Sequence, residues 1–477
     1  MKERTKMEEK EILIDEAFEP LTSEQLIPKI DELVELIESR RYTDFVRIIA
    51  DVPAADIAEL FDEIEDIYRP RFFRLLPKEL AAEVFVRMDS DSQENIITAF
   101  TDRELASILE ELYVDDTVDI IEEMPANVVK RMIRNCSHEN RSEINRLLRY
   151  PKDSAGTIMT TEYVRFKGTM TVREALDHIR RVAIDKETIY TCYVTDAERH
   201  LEGIVTAKDL LISPLDTTLV DIMEESVISV KTTDDREDVA NKFHKYDFLA
   251  LPVVDAEHRL VGIVTVDDAI DVIKEEVEED FAKMAGITPT ETPYLKTSVF
   301  TVFRSRIPWL LLLMVSATVS STILSFFENN LASILVLFVP MLMDTGGNSG
   351  NQASVTLVRG LSLGEVKRSD FLRVWWREFR VGVLCGAILG TVAFGKIMLV
   401  DHLIMQNDSV TLTVAAVVGV TLSLTIIIAK FIGSTLPLIA SKVGLDPAVV
   451  ASPFITTSVD AISLILYYFI ATPFFAV

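Results

Sequence analysis

Residues 307–327 run for 21 positions without a charge. About 20 apolar residues in a helix cross roughly 30 Å of hydrocarbon, so this stretch commits part of the chain to a membrane. Charge divides the chain at the same place. Residues 1–300 carry 66 acids and 37 bases, a net of -29, whereas residues 301–477 carry 9 acids and 11 bases, a net of +2. Two solvents are implied, water for the first part and lipid for the second. An overall charge of -27 excludes electrostatic nucleic-acid binding, which needs basic side chains facing phosphate. Cys136, Cys192 and Cys385 are scattered without paired spacing, so neither a disulfide framework nor a Cys-x-x-Cys metal site is encoded. The charged residues 1–10 lack a following apolar core, and no cleavable secretion signal is predicted.

Four further apolar runs follow, over 329–358, 381–400, 409–429 and 447–477, which predicts five spans. Basic residues set the orientation. Lys296, Arg304 and Arg306 precede span one, Arg359, Lys367, Arg368, Arg373, Arg377 and Arg380 separate spans two and three, and Lys442 lies between four and five. By the positive-inside rule these segments are cytoplasmic, so the N-terminal domains are inside and the C-terminus is outside. The segment 361–371 reads equally as an interfacial helix or a loop. Within the spans, Asp460 stands in the middle of an apolar run. An acid there costs about 2.5–3.5 kcal/mol on insertion scales and marks a pore or a partner helix. The stretch Pro340-Met-Leu-Met-Asp344-Thr-Gly-Gly-Asn-Ser-Gly-Asn-Gln352 is predicted to break its helix and to line an aqueous path through Pro340, Asp344, Gly346, Gly347 and Asn348. The competing reading is close helix packing through glycine.

The water-soluble part contains an internal repeat. Tyr193-Val-Thr-Asp-Ala-Glu-Arg-His-Leu-Glu-Gly203-Ile-Val-Thr-Ala-Lys-Asp209 matches the stretch from Pro252 to Asp268 at an offset of 59, and Ile158-Met159 matches Ile222-Met223 at an offset of 64. The first copy therefore holds about five extra residues ahead of its central strand. With helices over 172–181 and 235–246, each copy reads strand, helix, two strands, helix, and the pair resembles tandem CBS domains. Upstream, short apolar-periodic pieces beginning at Asp56, Glu79 and Glu104, with Pro or Asp/Thr ahead of several, predict a small helical superhelix. Downstream, 271–285 is an acidic helix by propensity, and it is the covalent link to the first span. The chain thus reads as a multidomain protein. It has a disordered tail over 1–24, an all-α helical superhelix over 25–150 and an α/β tandem CBS pair over 151–273. An acidic connecting helix and linker over 274–300 leads to a five-helix α transmembrane domain over 301–477.

In this order, the parts resemble the MgtE magnesium channel family over about residues 25–477. The motifs that carry the resemblance are Tyr150-Pro-Lys-Asp-Ser-Ala-Gly156 with Met159-Thr-Thr161, Gly346-Gly-Asn-Ser-Gly-Asn-Gln352, and Asp446-Pro with Pro453 and Thr456-Thr-Ser-Val-Asp460. The resemblance implies a homodimer in the inner membrane, with magnesium as substrate and cytosolic domains that sense magnesium and close the pore. It makes Asp460 the carboxylate of the pore's ion site and Asn348 a polar lining residue. It also makes Asp235, Glu237, Asp247, Asp268, Asp271, Glu276, Glu279 and Asp280 sensor ligands, with Asp91 a candidate from the helical domain. Asp344 and Ser452 stand where the family pattern is expected to differ. Among CBS pairs, binding of an adenine nucleotide is common but not universal, and the resemblance to them extends that expectation to this pair. Oxygen ligands, with all six His outside the expected spans, favour magnesium over zinc or copper but leave cobalt and manganese open. A membrane-anchored sensor that transports nothing is a third reading. No Walker loop or nucleophile motif points to an enzyme.

Overall fold

A computed structural model describes residues 30–183, 186–290, 294, 297–328 and 333–475. The tail expected over 1–24, Lys296 and the side chain of Ser452 lie outside the described residues. The chain forms two compact units that divide after Asp271.

The first unit opens with ten short helices: α1 (Ile30–Glu38), α2 (Tyr42–Ile49), α3 (Ala54–Glu63), α4 (Arg69–Phe73), α5 (Lys78–Arg87), α6 (Ser90–Ala99), α7 (Asp102–Leu109), α8 (Val114–Glu123), α9 (Ala126–Asn135) and α10 (His138–Leu147). Their starts are written locally. Pro53, Pro77 and Pro125 precede α3, α5 and α9, and Thr101 with Glu104 closes a reciprocal capping box on α7. Helices two apart in sequence pack together, α3 on α5, α5 on α7 and α7 on α9, which is the expected superhelix. Edge-to-face rings of Phe45, Phe61, Phe72, Phe73, Phe85 and Phe100 fill its centre.

The repeat follows as β1 (Tyr163–Lys167), α11 (Val172–Val182), β2 (Thr188–Thr195), β3 (Leu201–Thr206) and α12 (Ala207–Ile212), then β4 (Val230–Lys231), α13 (Arg236–Tyr246), β5 (Ala250–Val254), β6 (Leu260–Thr265) and α14 (Val266–Met284). Each copy has a three-stranded sheet with one parallel and one antiparallel pairing. The duplicated Thr-x-x-Asp is a helix cap. Thr206 and Thr265 each donate a 2.5 Å hydroxyl bond to Asp209 and Asp268 at the starts of α12 and α14. The short leading segments are exchanged between the copies. Thr160 bridges Ile263 of the second sheet, and Glu224 bridges Ile204 of the first. Gly203 and Gly262 permit this, because a Cβ on either would meet Met223 or Met159 Sδ at 2.7 Å. A single apolar core runs from Leu33 to Ala269, joining the helical domain to the second CBS copy.

The second unit comprises the rest of α14, then α15 (Val299–Glu328), α16 (Ser333–Val336), α17 (Val339–Ser362), α18 (Phe371–Lys396), a π-helical extension (Ile397–Ile404), α19 (Leu412–Val443) and α20 (Pro447–Phe475). Among the described residues, four helices are long and apolar enough to span: Val299–Phe326, Phe371–Ile404, Leu412–Val443 and Pro447–Phe475. At 24 residues, α17 reaches about 36 Å at 1.5 Å per residue, but its polar run keeps it out of that set. His402 lies inside the Phe371–Ile404 helix, which corrects the expectation that every His falls outside the spans. The segment before α18 is a turn with a short 3₁₀ piece, Arg368–Asp370, and no interfacial helix.

The expected break at 340–352 does not occur. α17 is continuous, with Pro340 in its first turn, where the missing N–H costs nothing. Its glycines serve close approach. A Cβ on Gly433 of α19 would stand 2.1 Å from the Gly350 carbonyl oxygen, and one on Gly350 would stand 2.9 Å from Ile455 Cγ2. The packing reading therefore replaces the broken-helix reading. α19 likewise runs through Gly433 and Pro437 without ending.

Candidate metal centres

Three groups of oxygen ligands emerge, one in the first unit and two in the second. Among the described residues, no three His, Cys, Asp or Glu side chains already stand at metal-ligand spacing, so none of the groups is a finished cage.

In the first unit, α8 begins Val114-Asp-Asp-Thr-Val-Asp119. Its apolar Val114, Val118 and Ile121 are buried, and the intervening helical turn carries Asp115 inward with them, leaving it 9% exposed. Asp268 comes to meet it from the start of α14, and Glu187 arrives on the extra residues that the first CBS copy carries ahead of β2. Loss of solvent around the group is the first cause of the result and mutual repulsion adds to it, although only Asp115 is fully buried and Asp119 keeps an exposed side chain. Asp115 and Asp268 are pushed up to about 7, Asp119 and Glu187 to about 8, and Asp116 to about 6. Asp115 Oδ1 and Glu187 Oε2 are buried and accept no hydrogen bond. Hard, crowded, partly orphaned carboxylate oxygens are a donor set that fits a magnesium-like cation.

The remaining sensor candidates of this unit are scattered. Asp235 is an exposed N-cap that accepts the Glu237 N–H at 2.9 Å, and Glu237 is half-buried beside it. Asp247 is the exposed left-handed C-cap of α13 at φ 55°, and Asp271 is exposed on α14. Asp91 is exposed in the first turn of α6, so the helical-domain acids that meet Asp268 are Asp115, Asp116 and Asp119 instead.

In the second unit, α14 ends beside Ser362 and Asp446, at ends of the membrane-domain helices. Lys283 sits between Glu279 and Asp446, at 2.7 Å from the latter. Burial opposes its charge, but the two carboxylates prevail and the ammonium is raised to about 12. Asp280 accepts the Ser362 hydroxyl at 3.1 Å, and burial raises its carboxyl against that bond. Glu276 is half-buried one turn earlier.

Deeper in this unit, Asp460 faces α17. A Cβ on Gly347 would lie 3.2 Å from Thr456 Cγ2 and 4.0 Å from Asp460 Oδ1, and that oxygen is buried without a hydrogen-bond partner. Gly346 is buried against Thr425 and Val459. Pro340 is exposed, and after it Asp344, Asn348, Gln352 and Thr356 recur every four residues and are all exposed, forming one polar stripe along α17.

The comparisons with known proteins follow this architecture. A family model described as a divalent cation transporter matches residues 339–470, the MgtE intracellular N domain matches 52–153, and CBS domains match 155–215 and 219–275. The magnesium transporter MgtE of Thermus thermophilus is 35% identical over 454 residues, which cover 94% of this chain and 98% of that protein. The chain belongs to the MgtE family. The Bacillus subtilis MgtE is 31% identical over 95% of this chain and 98% of its own length. A crystal structure of the soluble part of a magnesium transporter aligns with a TM-score of 0.50 and 33% identity, over 54% of this chain and 99% of that one. An MgtE layout of helical domain, CBS pair and membrane helices is what the structure contains, and the family is one of membrane transporters, not enzymes.

The sequence reading missed Asp115, Asp116, Asp119 and Glu187. The five-residue excess before β2 was the available signal for Glu187. For the aspartates it was their spacing within an otherwise apolar helix face.

Proposed function

We propose that this chain conducts magnesium across the inner membrane as a homodimer, with the N-terminal domains cytoplasmic and the C-terminus outside. In this reading α17 is the fifth span. Asp460 holds the ion while most of its water shell stays in place, as suits a cation that dehydrates reluctantly. The observation that carries the reading is the unpartnered carboxylate oxygen of Asp460, buried in a membrane helix and facing the polar helix α17. A two-fold axis beside the stripe of Asp344, Asn348 and Gln352 would supply the second wall of a path.

Cytosolic magnesium closes the path in the same reading. Two carboxylates about 5 Å apart repel by roughly 3 kcal/mol at an effective dielectric near 20, and a bridging divalent ion reverses that sign. Asp115, Asp116, Asp119, Glu187 and Asp268 form the first sensor, and Glu276, Glu279, Asp280 and Asp446 the second. An adenine nucleotide at the CBS pair rests on the tandem repeat alone, with no residue assigned to it.

The test is ion uptake into liposomes holding the purified protein, with magnesium, manganese and cobalt offered separately. Wild type should carry magnesium, and Asp460→Asn should abolish the flux with the fold retained. Faster manganese or cobalt uptake would make the chain a transporter of that ion on the same fold. Absence of any ion-dependent flux would leave a membrane-anchored sensor.

A further inference from the structure

The polar stripe of α17 brings a second acid to the depth of Asp460. The two helices run antiparallel, and their contacts fix the register. Gly346 packs against Val459 and Ser463, and Gly350 against Ile455 and Val459, so a step forward on α17 matches a step back on α20. Extending that register by two residues places Asp344 opposite the stretch 461–465. At about 1.5 Å per residue this is within one helical turn of the level of Asp460. The facing is set as well. Asp344 precedes Gly347, which looks onto Asp460, by three residues and Asn348 by four, so all three share one side of α17. Asp344 is exposed, and its charge is one that acts on Asp460.

We propose that Asp344 and Asp460 together form the ion seat of each chain, and that Asp344 is the residue that sets preference for divalent over monovalent cations. The proposal rests on the transport reading above and sharpens it. Two carboxylates give each chain two negative charges, which balance one hydrated divalent ion held through its water shell. Coulomb energy scales with the charge of the ion, so deleting one carboxylate costs a divalent ion twice what it costs a monovalent one. The loss therefore appears as selectivity as well as affinity. A purely structural Asp344 would alter stability and total flux while leaving the ratio of ions unchanged.

The experiment compares wild type, Asp344→Asn, Asp344→Glu and Asp460→Asn in liposomes, reading magnesium uptake against concentration and sodium leak in parallel. Asp344→Asn should raise the KM for magnesium about tenfold or more and, because sodium loses half as much binding energy, lower the magnesium-to-sodium ratio by about threefold or more. Asp344→Glu, which restores the charge, should stay within about threefold of wild type on both readouts. An unchanged KM and ratio in Asp344→Asn, with Asp460→Asn inactive, overturns this proposal and leaves the transport reading intact. Wild-type flux in Asp460→Asn overturns both. Should Asp344→Asn not assemble, Asp344→Ser takes its place. Failure of both to fold also overturns the proposal, because an exposed carboxylate with only ionic work is replaceable.

Discussion

Single glycines decide how closely the membrane helices approach. Gly433 and Gly395 are both helical, but their surroundings are opposite. A Cβ at 433 meets a backbone carbonyl oxygen of α17 at 2.1 Å, whereas one at 395 meets nothing within 4 Å. A carbonyl held in a helix cannot swing aside as a side chain can. Gly433→Ala should therefore destabilise the protein by about 3 kcal/mol, at the upper end of ordinary overpacking, and lower the melting temperature in detergent. Gly395→Ala should be neutral or slightly stabilising, since alanine gains up to about 1 kcal/mol over glycine in a helix interior. Equal melting temperatures for the two variants would remove the close-packing account of α17 and α19. This is also where the sequence misled. Pro340 and three glycines read as a break because their purpose lies in Gly433, Ile455 and Val459, which sit far along the chain.

At the scale of elements, the legible parts are those with local causes. The duplicated Thr-x-x-Asp signals each helix start by a bond spanning three residues, the CBS repeat and the superhelix were readable from spacing, and the acidic helix from propensity. The acid group of α8 was not. Asp115 and Asp119 look like a solvated face until Asp268 and Glu187 are packed against them. A measurable consequence follows from their burial. Each of these acids keeps its proton to higher pH in the folded protein than in an unfolded chain, so folding takes up protons. Their contribution to stability is complete below the ordinary carboxylate range near pH 4, and it is lost as pH rises through about 6 to 8. Without divalent cations, the full-length protein should melt at progressively lower temperature from about pH 5.5 to 8.5. Magnesium should raise the melting temperature most at the alkaline end, where the ligands are ionised, and little at the acid end. Asp115→Asn and Glu187→Gln should each flatten both trends. A magnesium effect independent of pH would place the ion elsewhere.

For the whole molecule, the segregation of charge would supply the force for the proposed gate. Residues 1–300 carry a net charge of -29, so a dimer would bring 58 net negative charges together. Repulsion on that scale opposes a compact arrangement until counter-ions bind. Moving a gate from 1:99 to 99:1 needs about 5.5 kcal/mol of differential binding, and bridging a few carboxylate pairs, each worth roughly 3 kcal/mol, is enough. Weak sites therefore suffice if several act together, and closure should be steep in cytosolic magnesium. In the proposed gate the covalent route from the first acid group to the membrane domain is α14, whose first turn holds Asp268 and whose last turns hold Glu279, Asp280 and Lys283. Replacing Asp115, Asp119 and Asp268 together by Asn should leave conduction open at magnesium concentrations that shut the wild type, because the carboxylates that the ion bridges, and with them the differential binding that drives closure, are then absent. Deleting residues 1–270 should do the same by removing the first sensor altogether. Both are read as magnesium current in membrane patches while the cytosolic concentration is stepped. If either variant closes at the same concentration as the intact chain, the acid group of α8 is a stability feature only, and the gating ions bind at Glu276, Glu279, Asp280 and Asp446.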